Sequence, residues 1–72
     1  MAEGHERLSL TKLRQQAGLT QQELAALLGV TQKTISIWEK GTVEPKLSFR
    51  QVRQMMEALN CTLDELILAV EQ

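Results

Sequence analysis

Apolar residues recur along the chain at helical spacing, and punctuation residues divide the chain into segments of helical length. The dividing residues are Gly18, Gly29, Gly41, Pro45 and Asn60. Between them, apolar positions repeat every three or four residues, and no segment shows the two-residue alternation of β-branched residues that is typical of strands. The pattern therefore predicts an all-α fold.

Each predicted helix is preceded by a hydroxyl residue whose side chain can accept a hydrogen bond from an unpaired N–H group of the first turn. The predicted helices span residues 10–17, 21–28, 32–40, 49–59 and 63–70, with the N-caps Ser9, Thr20, Thr31, Ser48 and Thr62. Three of these caps are followed, three residues on, by the acidic or amide residue of a capping box, namely Glu23, Gln51 and Glu65. This agreement between caps and spacing predicts five helices.

The apolar stripes of these helices predict the core. The stripes contain Leu10, Leu13 and Ala17; Leu24, Ala25, Leu27 and Leu28; Ile35 and Trp38; Phe49, Val52, Met55, Met56 and Leu59; and Leu63, Leu66, Ile67 and Val70. Ile37 does not fit, because it lies about 200° around its helix from Ile35, on a polar face. It is either an incidentally exposed residue or part of a binding surface that uses a methyl-bearing side chain.

Length and composition exclude several classes of protein. A chain of 72 residues allows one small domain, which we place at residues 8–70 after a flexible tail of residues 1–7. The single Cys61 and single His5 cannot form a Cys/His zinc site or an internal disulfide. No apolar run approaches a membrane span of about 18 residues, and no catalytic set or phosphate-binding loop is present. We expect a soluble, non-enzymatic domain without metal or cofactor.

Taken over the whole chain, the net charge of −1, from 8 basic and 9 acidic residues, disfavours a nucleic-acid partner. The distribution along the chain changes this picture. Residues 7–53 contain eight basic and three acidic residues, for +5, whereas residues 54–72 contain four acidic residues and no basic one, for −4. The half of the chain that holds helices 2 and 3 is therefore positive and compatible with DNA.

Helices 2 and 3 are joined by the turn Leu28-Gly-Val-Thr31, which is the layout of a helix-turn-helix. The segment 19–41 contains the motifs Thr-Gln-x-Glu-Leu-Ala, Leu-Gly-Val-Thr and Ile-Ser-x-Trp-Glu. A fourth motif, Leu-Asp-Glu-Leu, follows later in the chain and ends at Leu66. These motifs resemble the Cro and phage-repressor type of helix-turn-helix, also called the xenobiotic-response-element (XRE) family. The resemblance runs from about Leu10 to Leu66. It implies a five-helix lambda-repressor-like domain that binds double-stranded DNA.

The resemblance also implies roles by position. The candidate base-reading residues are Gln32, Lys33, Ser36 and Ile37, and the candidate contacts to the DNA backbone are Gln21, Thr31, Thr34, Lys40, Thr42, Lys46 and Arg50. Glutamine can pair with adenine, lysine can donate to guanine, and isoleucine can pack on a thymine methyl group.

Two further positions matter for the architecture and the target. Arg14 and Glu39 match positions that commonly pair within such domains, although a solvated Arg14 is the alternative. The loop 41–48 is about two residues longer than the common pattern, Lys40 stands where asparagine is frequent, and Ile37 stands where a polar or basic residue is frequent. The target preference of relatives therefore does not carry over.

Two functions follow. The first is a transcriptional regulator, repressor-like, that binds an operator as a homodimer. We expect such a protein to be bacterial, archaeal or phage-encoded, cytoplasmic, and nucleoid-associated when bound. Leu68 on helix 5 is the expected dimer contact. The second is a protein-interaction module, such as the antitoxin of a toxin–antitoxin pair or a coactivator bridging factor. The amide-rich face of residues 32–40 favours DNA, and no membrane partner is expected.

Overall fold

The structure, a computed structural model, describes residues 8–71. These residues form five α-helices and no strand: α1 (Leu10–Gln16), α2 (Gln21–Leu28), α3 (Gln32–Lys40), α4 (Phe49–Leu59) and α5 (Leu63–Val70). The predicted all-α fold is confirmed, and four of the five helices have the predicted bounds. α1 ends one residue earlier than predicted, because Ala17 serves as its C-cap. The expected flexible tail of residues 1–7 lies outside the described residues.

All five predicted N-caps are confirmed. Each hydroxyl accepts a hydrogen bond from the backbone N–H three residues further on, which satisfies one of the donors that a first turn leaves unpaired. The three capping boxes are complete, with the Glu or Gln side chain accepting from the backbone N–H of the cap residue. Local hydrogen bonding therefore sets where each helix begins.

Two left-handed residues matter for the path of the chain. Gly29, with φ +72°, ends α2 and lets the chain turn into α3 within three residues. Asn60, with φ +51°, ends α4 before α5. Side chains other than glycine, asparagine and aspartate rarely adopt this conformation, so both positions constrain the residue type.

One apolar core connects all five helices. Ten apolar residues are buried, with at least one from each helix: Leu10, Leu13, Leu24, Ala25, Leu28, Ile35, Met55, Leu59, Leu66 and Ala69. No polar or charged residue within 8–71 belongs to this core. α2 packs against α3 and α4, and α1 contacts α3, α4 and α5. The helix-turn-helix pair is thus supported by α1 and α4, and α5 packs against α1.

Four residues that the sequence placed in the core are exposed instead. Phe49 is 95% exposed, Leu27 50%, Leu63 48% and Ile67 39%. Leu27, Phe49 and Ile67 lie at the edges of their apolar stripes, and Phe49 also occupies the first turn of α4. A Cα–Cβ bond in a helix tilts toward the N-terminus, so the Phe49 side chain projects away from the level at which Met55 and Leu59 are covered.

Candidate nucleic-acid interface

The helix α3 has one anchored side and one accessible side. Ile35 is fully buried at 0% exposure and fixes the helix to the core. Gln32 and Lys33 are exposed, and Ser36 and Ile37 are half-buried. With 100° between successive residues, these four side chains fall within an arc of about 140° around α3, centred about 130° from Ile35. The structure therefore brings the four candidate base-reading residues, Gln32, Lys33, Ser36 and Ile37, to one surface, which we call the α3 surface.

The first turn of α3 is held by a pair of hydroxyl groups. The Thr31 side chain accepts from the backbone N–H of Thr34 at 3.1 Å, and the two side-chain oxygens are 2.9 Å apart. Thr31 is exposed and Thr34 is half-buried. Both hydroxyls consequently sit at the rim of the α3 surface, where the sequence places contacts to the DNA backbone.

The turn between α2 and α3 is tied to α4 by Gln51. The Gln51 Nε2 atom donates to the Leu28 carbonyl oxygen at 3.2 Å, while its Oε1 atom accepts from the Ser48 N–H at 3.0 Å. The carbonyl of Leu28 is one of the last in α2, where no intrahelical donor is available. The sequence analysis identified only the capping role of Gln51. The choice of glutamine over glutamate was the available signal, because only the amide can also donate.

Three side chains from α1 and α2 meet at the carboxylate of Glu39 on α3, and we call Thr11, Arg14, Gln21 and Glu39 the Glu39 cluster. Arg14 Nε lies 2.6 Å from Glu39 Oε2, and a second Arg14 nitrogen lies 3.3 Å from Oε1. Thr11 Oγ1 and Gln21 Nε2 donate to the same Oε1 at 3.0 and 2.9 Å. A further bond from Arg14 reaches the Leu19 carbonyl at 2.9 Å. The carboxylate thereby joins the helix-turn-helix to α1.

The Glu39 cluster is largely shielded from solvent, and this determines its ionisation. The side chains of Arg14 and Glu39 are 12% and 6% exposed. Burial by itself would raise the pKa of Glu39, but hydrogen bonds from Arg14, Gln21 and Thr11, together with the Arg14 charge, hold that pKa below its usual value. The carboxylate is therefore ionised at neutral pH, as an acceptor for all three donors.

A family comparison matches residues 10–66 of the chain to a helix-turn-helix family model. The protein is a member of the XRE/Cro-type helix-turn-helix family. Proteins of this family bind DNA, generally in transcription regulation, and are not typically enzymes. Comparisons with curated proteins and with solved structures gave no significant match.

The remaining residues that the family resemblance assigned to the DNA backbone come from the start of α2 and from the segment between the end of α3 and the start of α4. Lys40, Thr42, Lys46 and Arg50 are exposed at the end of α3, in the following loop and in the first turn of α4. Gln21 is half-buried in the first turn of α2, with its amide bonded to Glu39. The sequence analysis missed Thr11, and it did not foresee that Gln21 belongs to the Glu39 cluster.

Other kinds of site find little support among residues 8–71. No three His, Cys, Asp or Glu residues in this range are grouped closely enough to hold a metal ion. None of the five helices is both long and apolar enough to cross a membrane.

Proposed function

We propose that the protein is a repressor-like transcriptional regulator that places α3 in the major groove of an operator. The observation that carries this proposal is the accessible side of α3, which offers an amide, an ammonium group and a hydroxyl on a helix held by the buried Ile35. A major groove of about 12 Å admits one α-helix and displays hydrogen-bonding groups that distinguish the base pairs. Membership of a DNA-binding family supports the same conclusion.

The side chains of this surface have distinct chemical uses. Gln32 can form two hydrogen bonds with adenine, and Lys33 can donate to the O6 and N7 atoms of guanine. Ile37 can contact a thymine methyl group, and its half-buried position fits an apolar contact better than a water-exposed one. We expect Gln32, Lys33, Ser36 and Ile37 to read bases.

The rim of the α3 surface supplies the groups for the sugar-phosphate backbone. Such contacts set the register and orientation of a protein on the duplex and carry no base information. The first turn of α2 offers Gln21, the start of α3 offers two hydroxyls, and the segment 40–50 offers three basic groups and one more hydroxyl. The full set is Gln21, Thr31, Thr34, Lys40, Thr42, Lys46 and Arg50.

We further propose that two copies associate through α5 when they bind. Leu68 is 58% exposed, and Leu63 and Ile67 on the same helix are 48% and 39% exposed. Exposed large apolar residues grouped on one helix are typical of a protein contact. Dimers of helix-turn-helix proteins bind half-sites about one helical turn apart, so a two-fold symmetric operator is expected.

Selection of binding sites from a random duplex library tests the proposal. We expect an enriched, symmetric site, and we expect Gln32→Ala to lose about 1–3 kcal/mol of discrimination at one base position of each half-site. Gln54→Ala is the matched control, because Gln54 is half-buried on α4, outside the proposed surface. It should leave the preference unchanged.

Two results would contradict the proposal. An unchanged preference in the Gln32→Ala variant would remove α3 from base reading. A library without any enriched site would favour the protein-interaction module over a sequence-specific regulator.

A further inference from the structure

We propose that Thr11 and Glu39 are positioning residues that orient the Gln21 side chain for its contact with the DNA backbone. The inference rests on the proposed function and adds to it two residues, neither of which has to touch DNA. Thr11 lies on α1, outside the helix-turn-helix, and its hydroxyl reaches Glu39 on α3, 28 residues away in sequence.

The orientation of the Gln21 amide follows from the nature of its partner. The Glu39 carboxylate is ionised and can only accept hydrogen bonds. The nitrogen end of the Gln21 amide therefore faces Glu39 Oε1, at 2.9 Å, because the oxygen end would bring two acceptors together. Without this partner, the two ends of the amide would be free to exchange places.

A fixed nitrogen end matters for binding to a phosphate. An amide nitrogen carries two hydrogens, and one remains when the other is donated to Glu39. A phosphate oxygen is also an acceptor, so the amide can bridge the carboxylate and a phosphate only in this orientation. Because the side chain is already ordered in the free protein, less conformational entropy is lost on binding.

Thr11 contributes by restraining the carboxylate itself. Glu39 Oε1 accepts hydrogen bonds from Thr11, from Gln21 and from one Arg14 nitrogen. Glu39 Oε2 accepts the shorter hydrogen bond from Arg14 Nε. Arg14 is fixed independently by the Leu19 carbonyl. Loss of the Thr11 hydroxyl would therefore leave the ion pair in place but allow Oε1 to move away from the Gln21 amide.

A double-mutant cycle tests this role. Affinity for a random-sequence duplex is measured at fixed salt for the wild type, Thr11→Val, Gln21→Ala and the double variant, and chemical unfolding is measured in parallel. We expect Thr11→Val to weaken binding by about two- to tenfold when Gln21 is present and to have no effect when Gln21 is alanine. Thr11→Ser, which retains the hydroxyl, should bind like the wild type.

A purely structural role for Thr11 would give a different result. The positioning role would be overturned if Thr11→Val lowered DNA affinity equally in the wild type and in the Gln21→Ala variant. It would also be overturned if Gln21→Ala left DNA affinity unchanged. Thr11→Ala, which suits a helix, repeats the cycle if the valine variant does not fold. Absence of binding by the wild type would overturn the proposed function and this inference together. Wild-type binding with additive losses would overturn the inference alone.

Discussion

Glu39 acts at the scale of a single residue, because one carboxylate accepts hydrogen bonds from Thr11, Arg14 and Gln21. Replacing it by an amide, as in Glu39→Gln, would remove the negative charge and put an NH2 donor where one of the two acceptor oxygens now faces donor groups. The cost of breaking such a shielded pair exceeds the contribution of a solvent-exposed one, since the remaining groups stay partly desolvated. The carboxylate therefore contributes to stability as well as to the shape of the interface.

We predict that Glu39→Gln lowers the free energy of unfolding by about 2 kcal/mol at neutral pH. The difference should shrink on acidification, because the pKa of Glu39 is lower in the folded protein than its usual value. The unfolded chain binds a proton first as the pH falls, so the contribution of the carboxylate is full above the usual glutamate pKa and is lost as the pH falls through the folded pKa. Urea unfolding across this acidic range measures the effect.

Glu57→Gln is the control for this prediction, since Glu57 is an exposed acid of α4. It should change stability by no more than about 0.5 kcal/mol. A difference between Glu39→Gln and the wild type that stays constant down to strongly acidic pH would contradict the role assigned to the carboxylate.

The sequence predicted part of this cluster. The positions of Arg14 and Glu39 match a common pair of the family, and the two residues form an ion pair in the structure. Thr11 and Gln21 have no local pattern that links them to Glu39, because they are 28 and 18 residues from it. Contacts of this kind depend on how helices pack, which periodicity alone does not specify.

At the scale of the helices, Gln51 combines two roles that are usually separate. Its oxygen caps α4, and its nitrogen satisfies the carbonyl of Leu28 at the end of α2. α4 is thereby tied to the turn of the helix-turn-helix by a side chain of its own N-terminal cap.

We predict that Gln51→Glu lowers stability by about 1 kcal/mol although glutamate is equally suited to a capping box. The carboxylate retains the bond to Ser48 but cannot donate to Leu28. Gln51→Ala, which loses both bonds, should be less stable again. Urea unfolding of the three proteins measures the series, and a glutamate variant as stable as the wild type would show that the bond to Leu28 contributes nothing.

The helix bounds could be predicted from the sequence, because N-caps and capping boxes involve residues only three positions apart. The burial of side chains was harder to predict. Phe49 and Met55 belong to the same apolar stripe of α4, and which of them is covered depends on the neighbouring helices. Phe49 is 95% exposed and Met55 0%. Similarly, Leu66 and Ala69 are buried on α5, while Leu63 and Ile67 remain exposed.

We predict that Met55→Ala destabilises the protein by about 2–5 kcal/mol, because it leaves a cavity among buried side chains. Phe49→Ala removes a larger side chain but should cost no more than about 0.5 kcal/mol, since its environment is solvent. Thermal and urea unfolding compare the two variants. A large loss for Phe49→Ala would place that ring in the core after all.

At the scale of the whole molecule, charge is distributed unevenly. The +5 of residues 7–53 and the −4 of residues 54–72 place the proposed DNA surface and the proposed α5 contact in regions of opposite sign. The two associations should consequently respond to salt in opposite directions.

We predict that DNA affinity falls with salt, with a log–log slope near −4.5 for about five phosphate contacts. Self-association through α5 should instead strengthen with salt, because screening weakens the repulsion between two acidic regions. Electrophoretic mobility shifts and analytical ultracentrifugation over the same salt series measure the two equilibria.

Leu68→Glu should abolish self-association, whereas Val43→Glu should retain it. Val43 is a suitable control because it is 53% exposed but lies in the loop before α4. Equal behaviour of the two variants would remove α5 as the dimer contact, and a DNA affinity that does not respond to salt would contradict phosphate binding.

The separation between anchoring and accessible residues on α3 has an evolutionary consequence. Ile35 and Glu39 hold the helix in place, while Gln32, Lys33, Ser36 and Ile37 lie on its accessible side. Mutations at those four positions can accumulate without loss of folding, because none of the side chains belongs to the buried core. Duplicated copies of this gene could thus diverge toward different operators by a few substitutions, on an unchanged scaffold.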